Sequence, residues 1–210
     1  EVQDEIARNI TQALRITLTP QEEKLLAAKP TGDPRAYDHY LKGRAYARRM
    51  TRSDLDLAMQ MFEHAILLDP GFALAHAGIA NACGVVYEWH EKDERWLDRG
   101  RAACERALAL DPSLPEALVG RARIYYAQKR YDEAVRDVRR ANEMKRACDG
   151  AHNILARSLF ESDRWAEAIE TVSQAIAVNG DDYNVYVPYT NIYEGLGRIE
   201  DAHQLRLREV

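Results

Sequence analysis

Large and small apolar residues recur at a fixed interval in the second half of the chain. Every 34 positions, a large residue and a small residue return to the same places in the period. The large residues are Tyr125, Leu159 and Tyr193, and the small residues are Ala134, Ala168 and Ala202. Apolar positions within one period follow the spacing of a helix face, without the alternation typical of strands. The pattern therefore predicts an all-α solenoid of stacked, antiparallel helix pairs.

The small residues of this period are expected at the points where two helices cross. Alanine lets the helix axes approach closely, and overpacking such a crossing typically costs about 1–3 kcal/mol. The large residues are expected to fill the space between layers, and they include Tyr125, Tyr131, Leu159 and Trp165. These residues are therefore predicted to form the core of the solenoid rather than a site of chemistry.

The pattern of residues 36–210 resembles the tetratricopeptide (TPR) repeat family. Its second-helix signature is present in "AMQMFEHAILLDP", with Ala58, Phe62, Ala65 and Pro70, and again in "GRAACERALALDP". The resemblance implies a right-handed superhelix of about five units, the last one incomplete. It also implies that the first helix of each unit lines a concave, partner-binding groove. Arg146 and Gly180 stand where the pattern has its closing proline.

One unit is longer than the period. Pro70 and Pro112 close consecutive units but lie 42 residues apart, which is eight more than 34. The extra residues fall within "GVVYEWHEKDERWL". We expect them to lengthen the hairpin of this unit, with Tyr87, Trp89 and Trp96 packing it down. On this interpretation, a deletion of eight residues leaves the array folded, because loops tolerate changes in length.

The first 34 residues differ from the rest of the chain and are predicted to form a separate segment. Apolar residues four apart from Val2 to Leu18 predict an amphipathic helix, and Thr19-Pro20 is typical of the start of a second helix. A linker over residues 29–34 follows. The segment and the start of the array are similar to a junction in large bacterial signalling proteins. In those proteins a nucleotidyl cyclase, a Ser/Thr kinase or a winged-helix regulator precedes a TolB-like segment and a TPR array.

The TPR resemblance implies which side chains line the groove of the array, residues 35–210. One position per unit is Arg or Asn, and these side chains donate hydrogen bonds to carboxylates and peptide backbone. We therefore expect an acidic partner or one with a free carboxylate, bound by exposed arginines. The predicted groove residues are Tyr37, Tyr40, Arg44, Asn81, Arg123, Tyr126, Asn153, Arg157, Phe160 and Asn191.

Two observations limit this interpretation of the groove. Family members that clamp a chaperone's terminal carboxylate carry a lysine one turn before the asparagine, but this chain has Ala77 and Val187 at those places. That particular activity is therefore not predicted. The polar residues equally fit a groove that is simply exposed to solvent.

No pattern in the sequence predicts catalysis, a cofactor or a metal. The segment "HEKDE" begins like a zinc-protease helix, but Glu94 stands where the second histidine is required. The three cysteines cannot form a disulfide framework, and Cys83 and Cys104 occupy positions that face the core. A reducing, cytoplasmic location is therefore expected, and the missing motifs predict a non-catalytic fragment. No segment is apolar enough to span a bilayer.

Charge does not point to nucleic acid. The net charge is −5, from 29 basic and 34 acidic residues. Residues 121–146 carry nine basic and four acidic side chains, but helical spacing distributes these around two helices. An RNA-binding solenoid is therefore the weakest of three hypotheses.

The sequence leaves two stronger hypotheses for function. The first is a protein-interaction module that binds an extended peptide or a partner helix in the groove. The second is a regulatory or spacer region within a larger bacterial signalling enzyme. The last unit adds a further expectation, since Ile199, Ala202 and Leu205 form an apolar stripe that no following helix covers. Residues 185–210 are therefore expected to self-associate or to fray.

Overall fold

The computed structural model describes residues 30–144, 148, 150–179, 190, 192–195 and 197. The part of the chain that it describes is all-α, as predicted. Residues 192–195 are also helical and belong to the fifth unit, most of which lies outside the described residues together with the predicted N-terminal helices. The helices are α1 (Pro34–Ala47), α2 (Arg52–Leu68), α3 (Ala73–Trp89), α4 (Glu94–Leu110), α5 (Pro115–Ala127), α6 (Tyr131–Met144), α7 (Ala151–Glu161) and α8 (Trp165–Asn179).

The eight helices form four antiparallel pairs in two layers. Within each pair the two helices pack together, and the second helix of a pair also contacts the first helix of the next pair. First helices of successive pairs contact each other along the series α1, α3, α5 and α7. Among the described residues, second helices of neighbouring pairs make little contact. The layer of first helices is therefore the tighter, inner layer of the curve, and α2, α4, α6 and α8 form the outer layer.

Local signals set where the helices begin. The Asp33 and Asp93 carboxylates accept hydrogen bonds from the second residue of α1 and α4, at 2.8 and 2.9 Å. Thr51 accepts one from the backbone of Asp54 at 3.2 Å and caps α2. These side chains satisfy backbone N–H groups that have no partner within the helix. Pro115 opens α5, where its missing N–H costs nothing.

The 34-residue period is visible in the turns as well as in the core. Lys129 and Asp163 lie one period apart, and both adopt a left-handed backbone, with φ of 60° and 58°. Each turn is followed by the same ion pair, which joins the residue before the next helix to the first turn of that helix. Arg130 bonds Glu133 at 2.9 Å, and Arg164 bonds Glu167 at 2.8 Å. The repeated arginines and glutamates therefore fasten equivalent turns.

The helix crossings are built from small residues, as predicted. Ala58, Ala134 and Ala168 are fully buried. In the first two pairs, the ring of Phe62 fills the space that two glycines leave. A Cβ atom at Gly43 or Gly78 would lie 2.6 or 2.7 Å from this ring. The expectation that Trp165 fills the space between layers is wrong, because 50% of its surface is exposed.

The extra residues of the second unit are helical and do not form an extended loop. Helices α3 and α4 each have 17 residues, against 13 in α5 and 14 in α6. Because "VVYEW", residues 85–89, contains neither glycine nor proline, α3 continues for about one more turn, and Asp93 then caps α4. Tyr87 and Trp96 are half-buried as expected, but Trp89 is 44% exposed. The expectation that these residues form a loop is therefore wrong.

Burial makes two of the three free thiols unreactive. Burial raises the pKa of Cys83 from 9.0 to about 11 and that of Cys104 to about 12. Both thiols therefore stay protonated in the folded chain at pH 8, where the thiolate is the reactive form. We expect a Cys148→Ser variant to resist Ellman's reagent at pH 8 in buffer and to release two equivalents of thiol in denaturant. Rapid reaction in buffer would contradict the burial of this helix pair.

The same thiols give the stability of the fold an alkaline limit. An unfolded chain loses thiol protons near pH 9.0, whereas the folded chain keeps them up to pH values near 11 and 12. Because the folded pKa values are the higher ones, this contribution to stability is complete below pH 9.0 and declines as the pH rises toward 12. Replacing Cys83 by alanine is expected to flatten that decline.

Candidate functional site

The predicted groove residues that the structure describes belong to the inner layer. Tyr37, Tyr40 and Arg44 lie on α1, and Asn81 lies on α3. Arg123 and Tyr126 lie on α5, and Asn153, Arg157 and Phe160 lie on α7. Asn191 lies outside the described residues. The structure brings Asn81, Arg123, Tyr126, Asn153 and Arg157 together, while the three α1 residues form a separate group.

The α1 group is largely a packing feature. Tyr40 is 7% exposed, and its ring packs 5.1 Å from that of Phe72 and 5.8 Å from that of Phe62, measured between centroids. The expectation of an open groove position is therefore wrong for Tyr40. Tyr37 is half-buried against the same cluster, and the guanidinium of Arg44 lies 6.0 Å from the Tyr40 ring centroid. These contacts cover part of the Tyr37 and Arg44 side chains, so only the remaining surface of each could contact a partner.

Arg123 reaches from α5 across α3 and is almost fully enclosed. Its Nε donates to Asn81 Oδ1 at 2.9 Å, and its Nη1 donates to Glu88 Oε2 at 3.0 Å. A Cβ atom at Gly84 would lie 2.6 Å from Arg123 Cδ, so this glycine makes room for the arginine stem. Arg123 is only 5% exposed. The expectation of an exposed Arg123 is therefore wrong, because the neighbouring unit encloses its side chain.

Arg157 approaches the same carboxylate from α7. Its Nη1 donates to Glu88 Oε2 at 3.0 Å, and its side chain is 18% exposed. The guanidinium lies over two aromatic rings, 4.3 Å from the centroid of Tyr126 and 5.4 Å from that of Trp89. The Oδ1 atom of Asn153, one turn earlier on α7, lies 3.5 Å from Arg157 Nη1. Arg157 is thus held by charge and by stacking, with one edge left open to solvent.

Glu88 is the residue that sequence reasoning missed. It lies in the extra turn of α3, and its side chain is 5% exposed. Through one oxygen it joins α3 to α5, 35 residues away, and to α7, 69 residues away. One carboxylate therefore connects three consecutive units, although units of a solenoid normally contact only their neighbours. We call Glu88, Arg123 and Arg157 the arginine cluster.

A sequence signal for Glu88 exists. Asn81 and Glu88 are seven residues apart, which places them on the same face of α3 if the helix continues to Trp89. The TPR resemblance places Asn81 in the groove, and a helix that is one turn longer therefore places the Glu88 carboxylate on the groove side as well.

Burial and charge act in opposite directions on the two arginines. Burial lowers the pKa of Arg123, and the attraction of Glu88 only partly offsets this effect. Burial also disfavours the charged form of Arg157, but Glu88 and Tyr126 outweigh it and raise the pKa of Arg157. Both guanidinium groups remain charged at any physiological pH. With one carboxylate, the arginine cluster carries an excess of one positive charge.

The groups of the arginine cluster are suited to binding. Over the described ranges, histidine, cysteine, aspartate and glutamate side chains form no group that could hold a metal ion. None of the helices in that part of the chain is long and apolar enough to cross a membrane. The arginine cluster offers hydrogen-bond donors beside the aromatic surface of Trp89 and Tyr126, which is a combination suited to recognition.

Comparison with known proteins gives matches of one architectural kind. The family model described as "Anaphase-promoting complex, cyclosome, subunit 3" matches residues 102–175. Pseudomonas aeruginosa PilF superposes with a TM-score of 0.58 at 19% identity, covering 83% of this chain and 74% of that one. A thermophilic TPR protein from Thermus thermophilus superposes with a TM-score of 0.60 at 17% identity, covering 81% of this chain and 86% of that one. At these identities the two structures establish the fold.

A curated relative shares more of the sequence. "Putative adenylate cyclase 3" of Rhizobium meliloti (strain 1021) is 29% identical over 135 residues. The match takes in 63% of this chain but only 23% of the relative. The chain therefore corresponds to less than a quarter of that protein.

Proposed function

We propose that this chain, which shares the fold of a tetratricopeptide-repeat protein, binds an extended, acidic segment of a protein partner on its inner layer. The observation that carries this proposal is the stack of Trp89, Arg157 and Tyr126. Tryptophan, tyrosine and arginine are the residues most enriched where interfaces gain their binding energy. Here they lie side by side on the inner layer, with 44% of Trp89 exposed.

The polar groups around the stack support an acidic partner. Arg157 keeps an exposed edge, and Asn153 adds an amide on the same helix face. Guanidinium and amide groups bind carboxylates and peptide backbone. We propose that the binding surface continues into the fifth unit, which includes Asn191. The proposed self-association through residues 185–210 remains a separate prediction, because those residues lie largely outside the described part of the chain.

Display of random peptides on phage tests the proposal. We expect selected peptides to contain glutamate or aspartate next to an apolar residue. Asn153→Ala is expected to weaken their binding about fivefold to tenfold, the loss of roughly one hydrogen bond. Gln174→Ala is the matched control, since Gln174 is an exposed amide on the outer helix α8. Equal effects of the two substitutions on the peptide dissociation constant would place the binding surface elsewhere.

A second candidate function is regulation of a catalytic domain within the same protein. The observation that favours it is the match to part of a putative adenylate cyclase. In this proposal, the inner layer binds a segment of its own chain. If so, the Trp89→Ala substitution in the complete natural protein changes its nucleotidyl cyclase activity, whereas Leu67→Ala on the outer helix α2 does not. An unchanged activity for both variants would reject regulation through this surface.

A further inference from the structure

We propose that Arg123 and Arg157 form a carboxylate-binding site, which Glu88 fills in the free chain and which an acidic side chain of the partner takes over. This inference rests on the proposed function, because it specifies the chemistry of the same surface. The extra turn of α3 thus supplies a carboxylate, that of Glu88, which occupies the site of the ligand carboxylate in the free chain.

The first argument is that Glu88 satisfies the site only in part. Both guanidinium groups donate to the same oxygen, Oε2, at 3.0 Å. The other oxygen, Oε1, is buried and has no hydrogen-bond partner among the described residues. An arginine fork is suited to both oxygens of a carboxylate at once. A ligand carboxylate that entered along Arg157 would make this two-point contact, which Glu88 does not make.

The second argument is the balance of charge. Two guanidinium groups face one carboxylate in the arginine cluster, so one positive charge is not neutralised. The acidic residue of α7 is Glu161, and its negative charge contributes to raising the pKa of the Tyr126 and Tyr131 hydroxyls. Because no second carboxylate among the described residues binds the arginines, an acidic side chain is the complementary ligand.

The third argument is access. Glu88 is the last but one residue of α3, and the adjacent Trp89 is exposed at the edge of the cluster. The Glu88 carboxylate is held through one oxygen only, so rotation of its side chain releases it while the backbone of α3 stays in place. The backbone after α3 is anchored, since His90 Nε2 lies 2.8 Å from the carbonyl oxygen of Met50. Exchange of carboxylates therefore does not require unfolding of the turn.

The test compares wild type with Glu88→Gln. The probe is a short fluorescein-labelled peptide of alternating glutamate and leucine, measured by fluorescence polarisation beside its glutamine counterpart. Glu88→Gln removes the competing charge but keeps an oxygen that accepts from the arginines. We expect it to bind the glutamate peptide about tenfold more tightly than wild type, because a neutral amide competes for the arginines less strongly than a carboxylate does. The glutamine peptide is expected to show no gain.

Glu161→Gln is the matched control. It removes one negative charge from the same surface of α7 but frees neither arginine, so its effect is expected to stay within about twofold. A second arm uses Glu88→Ala and sodium acetate. Acetate is expected to raise the melting temperature of this variant by several degrees more than that of wild type, and acetamide is expected to have no such effect.

Each result decides between the claims. Equal binding of the glutamate peptide by wild type and Glu88→Gln would overturn the stand-in role and leave the groove function intact. A similar gain in Glu161→Gln would also overturn it, because the effect would then be general electrostatics. If acetate raises the melting temperature of Glu88→Ala but no peptide binds, the result supports the carboxylate site and rejects peptide recognition. If the peptide does not bind and acetate does not stabilise Glu88→Ala, both claims are overturned.

Discussion

Replacing Glu88 by alanine is expected to lower the free energy of unfolding by about 3–5 kcal/mol. The substitution leaves the Arg123 guanidinium buried without a carboxylate, and a buried charge without a partner is strongly unfavourable. Arg157→Ala is expected to cost less, because its side chain is more exposed and Glu88 keeps Arg123. The measurement is urea denaturation followed by circular dichroism.

The double variant Glu88→Ala/Arg123→Ala separates the ion pair from simple packing. It removes both charges, so it is expected to lose less stability than the sum of the two single variants. Glu161→Gln again serves as the control and is expected to change stability by no more than about 0.5 kcal/mol. Additive losses in the double variant would show that the arginine cluster does not couple the units.

Replacing Phe62 by alanine is the second change with a large expected effect, about 3–5 kcal/mol. The ring is 1% exposed and fills the space between Gly43 of α1 and Gly78 of α3. Its removal leaves a cavity that the helix backbones on both sides cannot close. Leu67→Ala, on the same helix at 78% exposure, is the matched control and is expected to stay within about 0.5 kcal/mol.

Enlarging the glycines tests the same contact from the other side. Gly78→Ala places a methyl group 2.7 Å from the ring of Phe62 and is expected to destabilise the chain despite the higher helix propensity of alanine. If Phe62→Ala and Leu67→Ala shifted the urea midpoint equally, the close packing of the first two units would be refuted.

Most of the repeat architecture could be predicted because it depends on short-range spacing. The alignment of Ala134 with Ala168 fixes the register of the helix crossings, and both residues are fully buried. Capping residues such as Thr51 act within one helical turn, so local sequence determines where their helices begin. The longer hairpin was also predicted. Its helical form could not be predicted, because an excess of eight residues over the repeat fits a loop as well as further turns of α3 and α4.

The site could be predicted only in part, because it depends on distances between units. The sequence placed Arg123 and Arg157 at equivalent positions but gave no information on what each would contact. Glu88 reaches Arg157 across 69 residues, and this contact exists only because the curvature of the array brings α3 near α7. Once that contact is known, the deletion of the extra turn is expected to destabilise the array, since it removes the carboxylate that Arg123 requires.

The central claim is that the inner layer binds a partner segment, and the position of a bound peptide tests it most directly. Hydrogen–deuterium exchange measured by mass spectrometry, with and without a display-selected peptide, locates that position. We expect protection to increase in α3, α5 and α7, around Trp89, Tyr126 and Arg157. Protection confined to the outer helices α2, α4, α6 and α8, or no change at saturating peptide, would contradict the account.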